Sequence, residues 1–480
     1  MATALKDEVL QPADILIIWA SYGQGHRRAA EALEAAFHHL RPDLSVQLAD
    51  YNLISNAKFH QVVTKAYLQT VQTMPAVYDY YYRLLARMND RSLVYQSINH
   101  IGLKHMERAI QAVAPRVVIS VFPTSSGTVG ELKRYGLITA PLVTVITDNV
   151  VHSQWLHSYT DLYLVGSEQV RWGLLAMGVA PERVKATGIP IDPRFSRLPD
   201  RRKARAALGL SQEAPVVLVL GGAARKGSGV DAVASALLQV GQPLQALLVA
   251  GDGTAVEEVG GLLQREAGGL PAGWRILPHL DDPCTAMAAA DLLVSKAGGL
   301  TVSEALASGL PMVLFGFLPG QEEANVRYVE QAGAGIAVSD VWSLRAVLAR
   351  LLGSPGVREE MARRARRAGR PDSAFQAAGA VIEAFFTEPR RLPVRVGERR
   401  EARESALAPA VAGAVQRRLP LVRFFRRSGD TQTEFRLLPG GRHLRWLGIL
   451  LARQHARRRW IRSGLRGRPR RQGCKETERP

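Results

Sequence analysis

The sequence has little cysteine and no long apolar run, and each shortage excludes a class of protein. Cys284 and Cys474 are its only cysteines and lie far apart, which excludes a disulfide scaffold and a zinc site built on cysteines. Two cysteines in 480 residues fit a reducing compartment. Because no stretch of eighteen apolar residues occurs, we expect no membrane-spanning helix. The first residues carry acidic side chains and lack an apolar core, so we expect no secretory signal there.

Acidic residues are outnumbered by basic ones, 43 against 62, but the deficit is confined to one end of the chain. Residues 391–480 contain 24 basic and 7 acidic side chains, whereas residues 1–390 contain 38 and 36. The body of the protein is therefore nearly neutral, which disfavours a wholly basic nucleic-acid-binding fold. We do not expect nucleic acid as a partner, and we expect a protein that acts in the cytoplasm or on a membrane surface.

Short apolar runs alternate with helical segments along the chain, a pattern typical of a parallel sheet wound with helices. A proline-rich segment at 187–200 divides this series in two. The pattern predicts an α/β fold with two Rossmann-like doubly wound domains, at 1–190 and 200–385, facing a cleft. The basic tail, 391–480, follows them. The predicted strands are 14–20, 45–50, 116–122, 141–147, 161–167, 215–222, 245–253, 274–280, 291–299 and 310–317. In such sheets, ligands bind at the carboxyl ends of the strands.

The segment SKAGGLTVSEAL, residues 295–306, predicts a nucleotide-diphosphate site. A strand ends before a small-residue turn, and a helix follows, whose unpaired N–H groups and partial positive charge suit a phosphate. Glu304 lies one helical turn after Thr301, where its carboxylate can accept hydrogen bonds from ribose hydroxyls. The alternative is a plain glycine turn followed by a solvated glutamate. The predicted binding residues here are Lys296, Ala297, Gly298, Gly299, Thr301 and Glu304.

The segment PGQEEANVRYV, residues 319–329, opens another helix after the next strand. Gln321 and Glu322 at its start can hydrogen-bond the hydroxyls of a sugar, or they form an ordinary capping turn. Its predicted substrate-binding residues are Gly320, Gln321, Glu322 and Asn325.

A second phosphate-compatible loop follows the first strand of the second domain. Gly221 and Gly222 precede Arg225 and Lys226, and two cations there would attract an anionic ligand. The alternative is a flexible turn.

The loop after the first strand, SYGQGH, holds the candidate general base. Gly23 and Gly25 allow a ligand close to the backbone, which leaves His26 near the mouth of the cleft. A neutral imidazole there can take a proton from an acceptor hydroxyl, although His26 could instead cap or pack against the first helix. Asp148, at the end of a later strand, either assists His26 or caps the next turn. We see no cluster with metal-ligand spacing and predict a reaction without a bound metal.

Two further segments suggest contact with a membrane. Residues 51–110 interleave tyrosines with lysine and arginine, as interfacial helices do. Residues 443–471 combine an apolar patch with an arginine block suited to an anionic membrane, where each basic residue contributes about 1 kcal/mol. The alternatives for this tail are an extension without a specific partner, and nucleic-acid binding.

Together these motifs resemble a known family. Five segments within residues 14–385 are similar to segments of the monogalactosyldiacylglycerol synthase and processive diacylglycerol glucosyltransferase group. They are SYGQGHRRAAEAL, TDNVVHSQW, TGIPIDPRF, SKAGGLTVSEALASGLP and LPGQEEANVRYV. A more distant similarity is to the N-acetylglucosaminyltransferase of peptidoglycan assembly. The resemblance implies a GT-B fold, with the acceptor in the first domain and the UDP-sugar mainly in the second.

The resemblance also implies roles for individual residues. His26 matches the family's essential loop histidine, and Glu304 matches its ribose-binding glutamate. The pair Gly298-Gly299 matches the diphosphate turn, and Gln321-Glu322 the pair that holds the donor sugar. The implied acceptor is a diacylglycerol-type lipid, taken up by residues 51–100.

We therefore expect an inverting, metal-independent hexosyltransferase without a cofactor, for which a UDP-sugar is the donor substrate. It would transfer galactose or glucose to a membrane lipid while bound peripherally to the inner face of the cell membrane. Two alternatives remain. One is a non-catalytic lipid-binding protein on a transferase fold, and the other is a UDP-sugar epimerase.

Overall fold

A computed structural model describes residues 10–21, 24–55, 102–221, 229–251, 253–317 and 322–387, together with positions 90, 92, 95, 96, 99 and 100 and the backbone of two strands in the tail. The chain divides into two compact units, residues 1–395 and 396–480. The first unit contains both of the predicted α/β domains.

The first domain is built on a six-stranded parallel sheet in the order β2-β1-β3-β4-β5-β6. Its strands are β1 (Ile15–Trp19), β2 (Val46–Asp50), β3 (Val117–Ser120), β4 (Leu142–Val145), β5 (Leu162–Val165) and β6 (Val184–Ala186). The helices around it include α1 (Gln24–Leu40), α2 (Leu103–Val113), α3 (Pro123–Arg134) and α4 (Glu168–Ala176). Both faces of β1 are buried, since its alternate residues belong to two different hydrophobic cores.

The second domain has a six-stranded parallel sheet in the order β12-β11-β10-β7-β8-β9. Its strands are β7 (Val216–Leu220), β8 (Gln245–Val249), β9 (Trp274–Leu277), β10 (Leu292–Ser295), β11 (Met312–Phe315) and β12 (Gly335–Val338). Its helices include α5 (Arg201–Ala207), α6 (Val230–Leu238), α7 (Gly253–Ala267), α8 (Pro283–Ala289), α9 (Gly299–Ser308), α10 (Glu323–Gln331), α11 (Val341–Gly353) and α12 (Pro355–Ala368).

All ten predicted strands are present, so two Rossmann-like parallel sheets are confirmed. β6 and β12 were not predicted, because the first has three residues and the second begins with glycine. The strand order reverses between β1 and β3 in the first sheet and between β7 and β10 in the second. Ligands of open α/β sheets bind at such reversals, and these two points position the site described below.

The last helix of the predicted 200–385 segment, α13 (Ser373–Phe385), packs against the first domain. Its residues Ala374, Ala377 and Val381 share a core with Leu33 and Phe37 of α1. The chain therefore crosses between the two domains twice, which joins them into one compact unit.

In the tail, the described backbone is a two-stranded antiparallel sheet, β13 (Val422–Phe425) and β14 (Glu434–Leu437). The helix considered for 443–471, and most of the aromatic segment 51–100, lie outside the described residues. Within the described ranges, no helix is both long and apolar enough to cross a bilayer.

Candidate functional site

His26 lies in a helix rather than in a loop, which corrects the sequence-based expectation. α1 begins at Gln24, so Gly25 and His26 form its first turn, while Gly23 lies outside the described residues. The polar segment QGHRR does not interrupt the helix, because the apolar stripe that begins at Ala29 already fixes its axis against the core. His26 thus has a backbone held by the helix, which suits a residue that must keep one orientation.

The hydrogen bonds of His26 set its tautomer, and its burial sets its protonation state. Its Nδ1 lies 2.7 Å from the carbonyl oxygen of Val121, just past β3, and 3.3 Å from Oγ1 of Thr147. Since a carbonyl oxygen only accepts, Nδ1 carries the proton and Nε2 keeps its lone pair. Desolvation lowers the pKa of His26 to about 4, against the opposing effect of the Val121 hydrogen bond. At neutral pH the imidazole is therefore an uncharged base whose acceptor atom is Nε2.

The predicted diphosphate turn lies between β10 and α9, at the strand reversal of the second sheet. Gly298 is the N-cap of α9, and an added Cβ there would meet no atom within 4 Å. A pocket opens beside this turn at the carboxyl ends of β7, β10 and β11. Among the residues that line it are Leu220, Gly229, Ser295, Lys296 and Phe315. The helix N-terminus that lines this pocket is that of α6, at Gly229, and together with Lys296 it suits an anionic ligand.

Other predicted donor-binding residues surround the same turn. Lys296 donates from Nζ to Oε1 of the buried Glu322, at 2.9 Å. These two residues, each predicted to bind the donor, are therefore in direct contact. Gly221 continues β7, where its N–H donates to the Val249 carbonyl. Thr301 lies in the first turn of α9. Gly222, Gly320 and Gln321 lie outside the described residues.

Glu304 is fully buried, and only one of its two carboxylate oxygens has a hydrogen-bond partner among the described residues. Its Oε1 accepts a hydrogen bond of 2.5 Å from Arg28 of α1, whereas no described residue bonds Oε2. The alternative of a solvated helix residue is therefore wrong, since the side chain is only 1% exposed. Desolvation raises the pKa of Glu304 to about 7, and the facing Arg28 limits that rise. A buried acceptor without a partner is costly, and a ribose hydroxyl would satisfy it.

Asn325 joins the two domains. Its Nδ2 donates to the Ala297 carbonyl at 2.9 Å and to Oδ1 of Asp148 at 3.3 Å, and its Oδ1 accepts from the Asn149 N–H at 2.8 Å. The side chain is fully buried, so both of its polar ends are committed to protein atoms. Its predicted role in substrate binding stays a prediction, and the contacts identify it as an interdomain clamp. Asp148 is one of the groups it holds, and the catalytic role predicted for Asp148 is likewise untested.

The first domain touches the diphosphate turn directly at Gly299. A Cβ on Gly299 would lie 2.1 Å from the carbonyl oxygen of Thr147, which is far inside any real contact distance. Thr147 also contacts His26, so one residue bridges the candidate base and the donor turn. Glycine at 299 is therefore required by the approach of the two domains.

This contact predicts different effects of one substitution at two adjacent glycines. We expect Gly299→Ser to lower the free energy of unfolding by about 1–3 kcal/mol, because overpacking against a backbone oxygen forces the domains apart. Gly298→Ser, in open space at an N-cap, should be neutral or slightly stabilising. The midpoints of urea unfolding of the two full-length variants check this, and equal midpoints would contradict it.

Three contributors were not assigned from the sequence: the Val121 carbonyl, Thr147 and Arg28. A backbone carbonyl leaves no trace in the side-chain pattern. Arg28 also left no clear signal, since Glu31 lies three residues after it, a spacing at which helical side chains can pair. The structure pairs Glu31 with Arg27 instead.

Comparison with known proteins covers both halves of the chain. Residues 26–191 match the model of the monogalactosyldiacylglycerol (MGDG) synthase family, and residues 216–376 match the glycosyltransferase family 28 C-terminal domain. A processive diacylglycerol beta-glucosyltransferase of Bacillus thuringiensis is 26% identical over 382 residues, which are 79% of this chain and 96% of that protein. A Bacillus cytotoxicus protein of the same name is 27% identical over 326 residues, 68% of this chain and 82% of the other.

Solved structures share the fold. Acinetobacter baumannii MurG superposes with a TM-score of 0.52 at 16% identity and covers 77% of this chain and 99% of its own. The glycotransferase of kitacinnamycin gives 0.53 at 16% identity and covers 78% of this chain and 100% of its own. The GT-B fold and the resemblance drawn from the motifs are thereby confirmed.

Proposed function

We propose that this chain, a glycosyltransferase of the group that its two halves match, transfers glucose or galactose from a UDP-sugar to a diacylglycerol-type lipid. One observation carries the proposal. The Oγ1 atom of Thr147 lies 3.3 Å from Nδ1 of His26. The carbonyl oxygen of the same residue packs against Gly299 of the predicted diphosphate turn. The candidate base and the candidate leaving-group site are therefore connected through a single residue.

These positions support the following mechanism as part of the proposal. Nε2 of His26 removes the proton from the lipid hydroxyl as its oxygen attacks C1 of the donor sugar. The bond from C1 to the diphosphate oxygen breaks, and UDP leaves on the opposite face, which inverts the anomeric centre. The N-terminus of α9 stabilises the charge that develops on the diphosphate, as a metal ion would otherwise do. Glu304 accepts hydrogen bonds from the ribose through Oε2.

The lipid acceptor is supported by the names of the Bacillus relatives and by the matched synthase family. Residues 51–100, between the helix that bears His26 and α2, are proposed to receive the lipid at an anionic membrane surface. The basic tail, at 391–480, would add electrostatic attraction to that surface.

The function is tested by incubating the purified chain with radiolabelled UDP-glucose, UDP-galactose or UDP-N-acetylglucosamine and anionic vesicles that contain diacylglycerol. We expect label in the lipid extract with one hexose donor. UDP release without labelled lipid would redirect the search to another acceptor. Conversion of one UDP-sugar into another without UDP release would show that the chain is a UDP-sugar epimerase. UDP binding without any turnover would favour a non-catalytic lipid-binding protein on a transferase fold.

The tail has its own expected result. Deleting residues 391–480 should weaken binding to anionic vesicles, because it removes 24 of the 62 basic side chains. Transfer to an acceptor dispersed in neutral detergent should be unchanged. Sedimentation of both forms with phosphatidylglycerol vesicles measures the difference, and equal binding would remove the tail from the membrane role.

A further inference from the structure

Arg28 makes an ion pair across the two domains at the candidate donor site. It lies on α1, two residues after His26, and its guanidinium donates to Oε1 of Glu304 on α9 at 2.5 Å. Glu304 is buried, whereas the Arg28 side chain is 34% exposed. The pair therefore connects the helix of the candidate base with the carboxylate of the candidate ribose site.

The neighbouring Arg27 shows what an ordinary surface pair on this helix is like. Arg27 pairs with Glu31 one turn later at 2.7 Å, and the two side chains are 53% and 43% exposed. Such a pair contributes little to stability, and neither partner has an ion pair with a described residue of the second domain. Arg28 differs because its carboxylate partner is buried and keeps one oxygen, Oε2, without a bond from any described residue.

Two features of the surroundings of Glu304 disfavour its negative charge, and Arg28 favours it. Burial raises the pKa of Glu304, and Asp192 in the interdomain linker raises it further, whereas Arg28 lowers it. The elements packed around α9 also carry Arg194, the partner of Asp192, in the linker, Cys284 on α8, Glu322 before α10 and Arg366 on α12, among other charged side chains.

We propose that Arg28 is a positioning residue for the donor: it holds Glu304 as a carboxylate with Oε2 directed away from the ion pair, and so couples the approach of the first domain to nucleotide binding. This inference rests on the proposed function. A carboxylate can accept from two ribose hydroxyls, whereas a protonated carboxyl group loses part of that acceptor capacity. Without Arg28, a buried charge would be left uncompensated, and Glu304 would take up a proton instead.

The test measures the dissociation constant of UDP by calorimetry between pH 6 and 9 for the full chain and for Arg28→Ala, Arg28→Lys and Arg27→Ala. In the unsubstituted protein, affinity should fall as the pH drops below about 7, where Glu304 protonates. We expect Arg28→Ala to move that midpoint up by about one pH unit, and therefore to weaken UDP binding about fivefold at pH 7 and about tenfold at pH 6. Arg28→Lys should restore the midpoint, and Arg27→Ala should change neither quantity.

The outcomes separate this inference from the proposed function. A loss of affinity in Arg28→Ala that is equal at every pH would overturn the inference, since it would reduce Arg28 to a structural support. Unchanged affinity and midpoint would overturn it as well. If the unsubstituted chain bound no UDP, the proposed function itself would fail. Binding with an upward shift of the midpoint, reversed by lysine, supports both.

Discussion

Replacing His26 by alanine should lower kcat by roughly 10²–10⁴-fold, the range typical of a lost general base, while UDP affinity stays within about twofold. The reason is positional. His26 presents Nε2 as an acceptor because Nδ1 is committed to the Val121 carbonyl, and it lies on the domain opposite the nucleotide turn. Its loss therefore removes proton transfer but not donor binding. Steady-state transfer kinetics together with UDP calorimetry separate the two quantities.

A matched control for this prediction lies on the same helix. His38 is exposed in the last turn of α1, and His38→Ala should leave kcat unchanged. Because the pKa of His26 is lowered to about 4, its proton uptake should not limit kcat between pH 6 and 8. A His26→Ala protein that kept half of the normal kcat would contradict the assignment of the base.

The sequence predicted the fold well because buried parallel strands are easily recognised in a sequence. Strands covered on both faces are continuous apolar runs such as ILIIW in β1 and VVLVL in β7, and each ends at a polar or glycine-rich loop. The position of a helix along the chain does not determine which of the two sheets it packs against. The alanine-rich face of α13 would fit either core, and only the assembled structure places it against α1.

The place of Glu304 in the fold was predictable, because the strand, the small-residue turn and the helix around it can each be recognised in the sequence, whereas its role at the ribose stays a prediction. The site was not predictable where it depends on contacts between residues far apart in sequence. Asn325 lies on the motif that was assigned to the sugar, but its polar atoms bond Ala297, Asp148 and Asn149. Nothing in the local pattern separates an amide that contacts a ligand from one that clamps two domains. Asn325 is separated along the chain by 176 positions from Asn149 and by 177 positions from Asp148.

Glu304→Gln should weaken the donor interaction, with kcat/KM for the UDP-sugar lower by about 10–100-fold at pH 8. Glutamine keeps the volume of the side chain but replaces a charged acceptor by a neutral amide. Hydrogen bonds to charged groups contribute about 1.5–3 kcal/mol each, and the ion pair with Arg28 is lost at the same time. The change at Oε2, which is buried without a described partner, affects ligand binding, whereas the change at Oε1 weakens the contact with Arg28.

The pH profile identifies Glu304 more sharply than the size of the loss. Its pKa is raised to about 7, so the carboxylate form is present above that pH and is lost as the pH falls through it. For the unsubstituted chain, kcat/KM for the donor should therefore decrease about tenfold per unit below pH 7. Glu304→Gln cannot titrate and should give a flat profile over the same range, whereas Glu359→Gln, an exposed change on α12, should keep the slope. An acid limb that persists in Glu304→Gln would assign it to another group and remove Glu304 from the ribose site.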